Sequence, residues 1–178
     1  MSDVTTATDQ GWLSREEMDS ARERLPILYV DAVPVRVDEQ GTVTKVGLLL
    51  RIGEDGQVKR ALVSGRVLWG ETIREALWRH LSKDLGPEAA PQLPGSPVPF
   101  TIAEYFPEDS RGTGFTDPRQ HAVSLAFVVP VEGDCHPQQD ALELTWFTPQ
   151  EARDQRLLAE MTGGQGALLQ MGLAHVGV

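Results

Sequence analysis

The residues whose types and spacing could do chemistry gather between positions 65 and 87, in the run GRVLWGETIREALWRHLSKDLGP. A glycine-bounded loop leads through Glu71 into a stretch with apolar residues at Ile73, Ala76, Leu77, Leu81 and Leu85. That spacing predicts a helix with one buried face. Thr72 and Glu75 have the form of a capping box at its start, and Gly86-Pro87 stops it. Arg79, His80, Lys83 and Asp84 stand near its end. Residues three and four apart share a helix face, so His80, Lys83 and Asp84 are expected to project together, away from the apolar stripe. An imidazole, an ammonium and a carboxylate on a helix pinned beside a loop suit a ligand site.

Without a gap, this segment resembles the signature of the Nudix hydrolase superfamily, G-x5-E-x7-R-E-U-x-E-E-x-G-U, where U is aliphatic. Gly65, Glu71, Arg79, Leu81 and Gly86 match, and Asp84 supplies a carboxylate at the last Glu. The flanks are similar too. Asp117-Pro118-Arg119-x-His121 opens a long strand, and the stretch from Leu144 through Trp146 to Ala152 resembles the usual tryptophan-strand-to-helix ending. The resemblance covers residues 28–156. It implies the α+β class: a Nudix-like α/β/α sandwich, with a mixed β-sheet and helices on its faces. It also implies a small nucleotide-like ligand and a homodimer.

In that superfamily the box carboxylates hold divalent cations that activate water and neutralise a diphosphate. Here the three acidic positions carry His80, Lys83 and Asp84, and the last aliphatic position is Pro87, so the box at residues 65–87 is degenerate. Mg²⁺ wants hard oxygen ligands in near-octahedral geometry. His80 suits Mn²⁺ or Zn²⁺ better. An ammonium at Lys83 repels a dication by about one to a few kcal/mol through screening water. Binding of Mg²⁺ or Mn²⁺ is therefore expected to be weak, with Asp84 and His80 as the metal candidates. Asp84, Glu71 and His80 are the catalytic candidates, and Lys83, Arg79, Arg119 and Arg111 are the ligand-binding ones. Glu75, Asp140 and Glu143 are further acids that could reach the metal position. Glu71 is also placed to pair with Arg79. The kept frame and the altered carboxylates together predict a protein that binds a nucleoside diphosphate-linked ligand, or a partner, with weak or absent hydrolysis. The alternative is an active metal-dependent nucleoside diphosphate-X pyrophosphohydrolase.

These side chains need elements to position them. Residues 1–11 read as a disordered leader and residues 12–178 as one Nudix-like domain, with an N-terminal helix and a C-terminal helical extension. Ser14-x-x-Glu17 starts a helix that ends near Arg24, before Leu25-Pro26. Strands are predicted at 27–37, 43–51 and 57–63, the last two joined by an Asp-Gly turn. A loop at 64–70 precedes the helix at 72–85, and a proline-rich loop follows it. Further strands are predicted at 100–106, 121–131 and 142–147. Thr148-Pro149-Gln150-Glu151 reads as a helix start, and a last helix covers 166–175.

Composition narrows the partners. The 178-residue chain carries a formal net charge of −10. A general nucleic-acid binder needs a basic face, so none is expected. The apolar runs are strand-length and too short to span a membrane. The single cysteine, Cys135, fits a reducing compartment, and the acidic start lacks the features of a signal peptide. A cytoplasmic protein is expected.

Overall fold

The computed structural model describes residues 11–53, 55–138 and 141–178. Residues 1–10, nearly all of the expected leader, and Asp140 lie outside the described residues.

The long strand β1 (Ile27–Val37) organises the fold. Its β-branched residues favour extended backbone. It runs parallel to β6 (Ala122–Pro130), with Ile27 opposite Ala122 and Val35 opposite Pro130. Its other edge is shared between two antiparallel neighbours. β4 (Val63–Arg66) pairs with Tyr29–Ala32, and β2 (Val43–Ile52) pairs with the end from Val35 to Val37. β3 (Val58–Ala61) and β7 (Ala141–Phe147) both pair with β2, and β5 (Thr101–Tyr105) pairs with β6. The result is the expected mixed sheet, seven-stranded, with one parallel pair.

Alternation along β1 sends successive side chains to opposite faces. Val30 and Ala32 join Leu49 and Val63 against Ala76, Leu77, Leu81 and Leu85 of α2 (Ile73–Leu85). Val33 and Val35 join Val46 and Leu48 against Leu157 of α3 (Gln155–Ala159) and Leu168, Leu169 and Leu173 of α4 (Gln165–His175). The sheet is thus sandwiched between helices, as an α+β protein. Each fully buried leucine of α2 contributes about 1.5–3 kcal/mol of transfer free energy. The capping boxes Ser14/Glu17 of α1 (Arg15–Arg24) and Thr72/Glu75 of α2 are both complete.

Two expectations change. The segment expected as a loop at 64–70 begins as strand β4, because residues 63–66 find the free edge of β1. Thr148 and Glu151 do bond each other's amides reciprocally, but only a 3₁₀ turn follows, at Glu151–Arg153. Asp154 then caps α3 anew. Among the described residues no helix is long and apolar enough to cross a membrane.

Candidate functional site

The loop before α2 is held by its own side chains. Arg79 grips Glu71 with two parallel bonds, Nε to Oε1 at 2.7 Å and Nη2 to Oε2 at 2.8 Å. Glu71 also accepts from the Leu68 amide at 2.9 Å, and Arg79 Nη2 donates to the Arg66 carbonyl at 2.9 Å. Burial alone would raise the Glu71 carboxyl. The bonds from Arg79 and Leu68 outweigh it and hold the group below its ordinary value. These residues fix the loop to the helix, and neither lines the cavity described below.

His80 and Asp84 do not project into solvent with Lys83. Both lie on the buried face of α2, His80 at 6% exposure and Asp84 at 1%. His80 donates Nε2–H to the Arg66 carbonyl at 2.9 Å, while its Nδ1 is buried without a hydrogen-bond partner among the described residues. The ring rests on Gly65. A Cβ there would stand 1.9 Å from His80 Cε1, so a glycine is required by that contact. Gly65→Ala is expected to destabilise the domain by about 1–3 kcal/mol through overpacking. Urea unfolding reads this directly, and adding His80→Ala should recover much of the loss. An unchanged midpoint in Gly65→Ala alone would show that the ring is not held there.

Asp84 forms an ion pair with Arg51 at the end of β2, where the pairing with β7 shifts register. The pair answers whether these residues fit the divalent cations of the superfamily. A ligand cluster needs several anionic oxygens around one point. Here one position is a cation (Lys83), one is an imidazole engaged with a carbonyl, and the carboxylate already faces a guanidinium. Among the described residues no three His, Cys, Asp or Glu side chains are grouped to hold a metal ion. The donor set does not fit.

Arg51 also borders a cavity of about 550 Å³ on the α3–α4 side of the sheet. That volume suits a small organic ligand. Its described lining holds four cations, Arg51, Lys59, Arg60 and Arg119, against the carboxyls of Asp31, Asp55 and Asp117. Each cation is ion-paired, Arg51 with Asp84, Lys59 with Asp55, Arg60 with Glu143 and Glu160, and Arg119 with Asp117, so a chain of net charge −10 gathers four cations at one place with their charges balanced by carboxylates. Arg119 is gripped by Asp117, with Nε and Nη2 each 2.9 Å from a carboxylate oxygen. Burial would raise Asp117, but the Arg119 bonds keep it below its ordinary value. Arg60 donates to Thr145 Oγ1 at 2.9 Å and lies over the Phe147 ring.

The cavity therefore unites only Arg119 from the expected ligand-binding set. Arg111 sits over the Phe106 ring, 5.9 Å from its centroid, and Lys83 is on α2 away from the lining. Sequence reasoning missed Asp31, Arg51, Lys59 and Arg60. Asp31 carried a signal, since an acid inside an apolar strand is anomalous.

Comparison with known proteins bears on this geometry. A family model described as a domain of unknown function, DUF4916, matches residues 8–178. A crystal structure from Jonesia denitrificans, described as a possible asymmetric diadenosine tetraphosphate (Ap4A) hydrolase, is 62% identical with a TM-score of 0.84, covering 86% of this chain and 96% of that one. The Nudix domain of Shewanella oneidensis NrtR, solved with ADP-ribose, is 15% identical with a TM-score of 0.60, covering 92% and 99%. A bifunctional NMN adenylyltransferase/ADP-ribose pyrophosphatase from Francisella tularensis, solved with AMP and a Mn ion, is 15% identical with a TM-score of 0.58, covering 85% and 42%. The last two likenesses concern the fold. No curated protein is significantly similar to the chain.

Proposed function

Because the chain belongs to the DUF4916 family and to the Nudix superfamily, we propose that it binds a nucleoside diphosphate-linked ligand in the cavity beside Arg51, with guanidinium groups holding the phosphates and with weak or absent hydrolysis. The observation that carries this reading is the Arg51–Asp84 ion pair. It places an internal cation beside the last carboxylate of the box, and the same side chain borders the cavity. A guanidinium presents donors in a fork that matches phosphate oxygens and needs no bound metal to do so. Arg60 and Arg119 add two more such groups to the lining. The lone cysteine suits a reducing, cytoplasmic setting.

A second reading is metal-dependent hydrolysis of a nucleoside diphosphate-X compound. It is favoured by the 62% identical structure described as a possible Ap4A hydrolase. One experiment separates the two. Binding of ADP-ribose and Ap4A is measured by calorimetry in EDTA, and phosphate release from both is followed with Mg²⁺ and with Mn²⁺, beside Asp84→Ala. The first reading expects binding in EDTA and no release above the variant. Metal-dependent release that disappears in Asp84→Ala would replace it with the second. Light scattering on the same preparation tests the homodimer.

A further inference from the structure

We infer that Asp31 is a specificity residue that reads the uncharged, hydrogen-bonding part of the ligand, a nucleobase edge, while the cations of the same cavity hold its phosphates. The inference rests on the ligand reading above and names what decides among ligands.

Asp31 stands in the middle of β1, in the run ILYVDAVPVRV, opposite Ala126 on the parallel neighbour. It is 2% exposed and, among the described residues, has no ion pair with a cation. Such a carboxyl is costly to bury, and an apolar residue of similar volume would be cheaper. The strand itself gives no reason for it, since Val33 and Val35 on the same face are ordinary core.

The carboxyl is half-satisfied. Oδ2 accepts from Ser124 Oγ–H at 2.6 Å and from Tyr105 Oη–H at 3.2 Å. Oδ1 is fully buried and, among the described residues, makes no hydrogen bond of ordinary geometry, while Ser64, opposite Asp31 on β4, lends its hydroxyl to the carboxyl more weakly. The residues around it are themselves fixed: Ser124 is fully buried on β6, and Tyr105 is buried on β5. Burial pushes the Asp31 carboxyl up, and the Ser124, Ser64 and Tyr105 hydroxyls oppose that only in part.

Asp31, Ser64, Ser124 and Tyr105 all line the cavity that holds Arg51, Lys59, Arg60 and Arg119. The cavity is therefore two-sided in chemistry. One part presents guanidinium and ammonium donors held by carboxylates, and the other offers a rigid, buried carboxyl with hydrogen-bonding capacity left over. A molecule complementary to both has an anionic part and a neutral polar edge, as a nucleotide does. A buried polar group left without a partner discriminates strongly between ligands that can and cannot complete its bonding.

The test uses the full chain in EDTA and titration calorimetry, with pyrophosphate, ADP, IDP, CDP and UDP as probes. ADP and IDP differ by an amino against an oxo group at one ring position, and CDP and UDP differ likewise. The wild type should prefer one member of at least one pair by about tenfold or more. Asp31→Asn should flatten or invert that preference while leaving pyrophosphate affinity within twofold and the melting temperature within a few degrees. Asp31→Leu, which cannot hydrogen-bond, should flatten it as well. A wild type that binds nucleotides without distinguishing the pairs, or variants that keep its preference, would overturn the role of Asp31. Equal weakening of pyrophosphate and nucleotides would mean that Asp31 acts through the fold, and would overturn it too. Should the wild type bind none of the probes, the ligand reading fails and this inference with it.

Discussion

Arg51→Ala is expected to destabilise the domain by about 3 kcal/mol and to weaken ligand binding by roughly ten- to a hundredfold. The stability loss comes from Asp84. At 1% exposure it is out of water, and removing the guanidinium takes away a buried charge that balances it. Breaking a buried pair from one side typically costs about 3–5 kcal/mol. The lower end applies here, because the Arg51 side chain is 23% exposed. The binding loss comes from the other end of the same group. One charge-assisted hydrogen bond to a phosphate contributes roughly 1.5–3 kcal/mol, which is one to two decades in affinity. The two effects separate in the double variant Arg51→Ala/Asp84→Leu. Filling the site with an apolar side chain should restore most of the stability, since a buried pair is rarely better than a hydrophobic replacement. It should not restore binding. Urea unfolding and calorimetry in EDTA measure the two quantities on the same protein. A double variant that regains affinity would mean that Arg51 serves only as a partner for Asp84, and the cavity would lose one of its proposed phosphate-binding cations.

The frame around this pair was legible in the sequence because it is written in local chemistry. Ser14 with Glu17 and Thr72 with Glu75 are three residues apart, and each box closes within one turn. The alternation of β1 and the leucines of α2 announce their faces without help from distant residues. His80 and Asp84 were harder. Seen on a helical wheel they border Leu77 and Leu81, but polar identity argues for the solvent side. What decides is the glycine at position 65, which leaves room for a ring, and the arginine at the end of β2, which neutralises a carboxylate. Both are tertiary facts. Glu71 and Arg79 could be paired from their spacing, and they are. Arg51, Lys59 and Arg60 could not be gathered around a cavity, because only the β2–β3 pairing and the return of α4 bring them near Asp31 and Arg119. The broken ending after Thr148 has a similar cause. A good cap predicts that a helix starts, but a second cap at Asp154 shows where the longer turn is made.

Acidification from pH 6.5 to 4 is expected to remove about 3 kcal/mol of stability through His80 alone. Its pKa in the folded chain is lowered from 6.5 to about 4, first by burial and then by the nearby charges of Arg79 and Lys83. The bond to the Arg66 carbonyl opposes this only in part. The unfolded chain therefore binds a proton that the folded chain refuses over this interval. The contribution is fully present above pH 6.5 and is lost as pH falls toward the folded value, at about 1.4 kcal/mol per unit. Other groups overlap little with it. Glu71 and Asp117 are held below ordinary values of 4.5 and 3.8, so their losses begin lower. Asp31, whose carboxyl is raised, acts in the opposite direction. Comparison with His80→Phe cancels all three. The aromatic ring keeps the volume over Gly65, and Arg79 still donates to the Arg66 carbonyl, but no proton can be taken up. Urea unfolding of both proteins between pH 7 and 5 should show the wild type losing about 2 kcal/mol more than the variant. Parallel pH profiles would mean that the imidazole is hydrated or protonated in the folded chain. It would then be free to meet a ligand, and the buried-ring account of the box would be wrong.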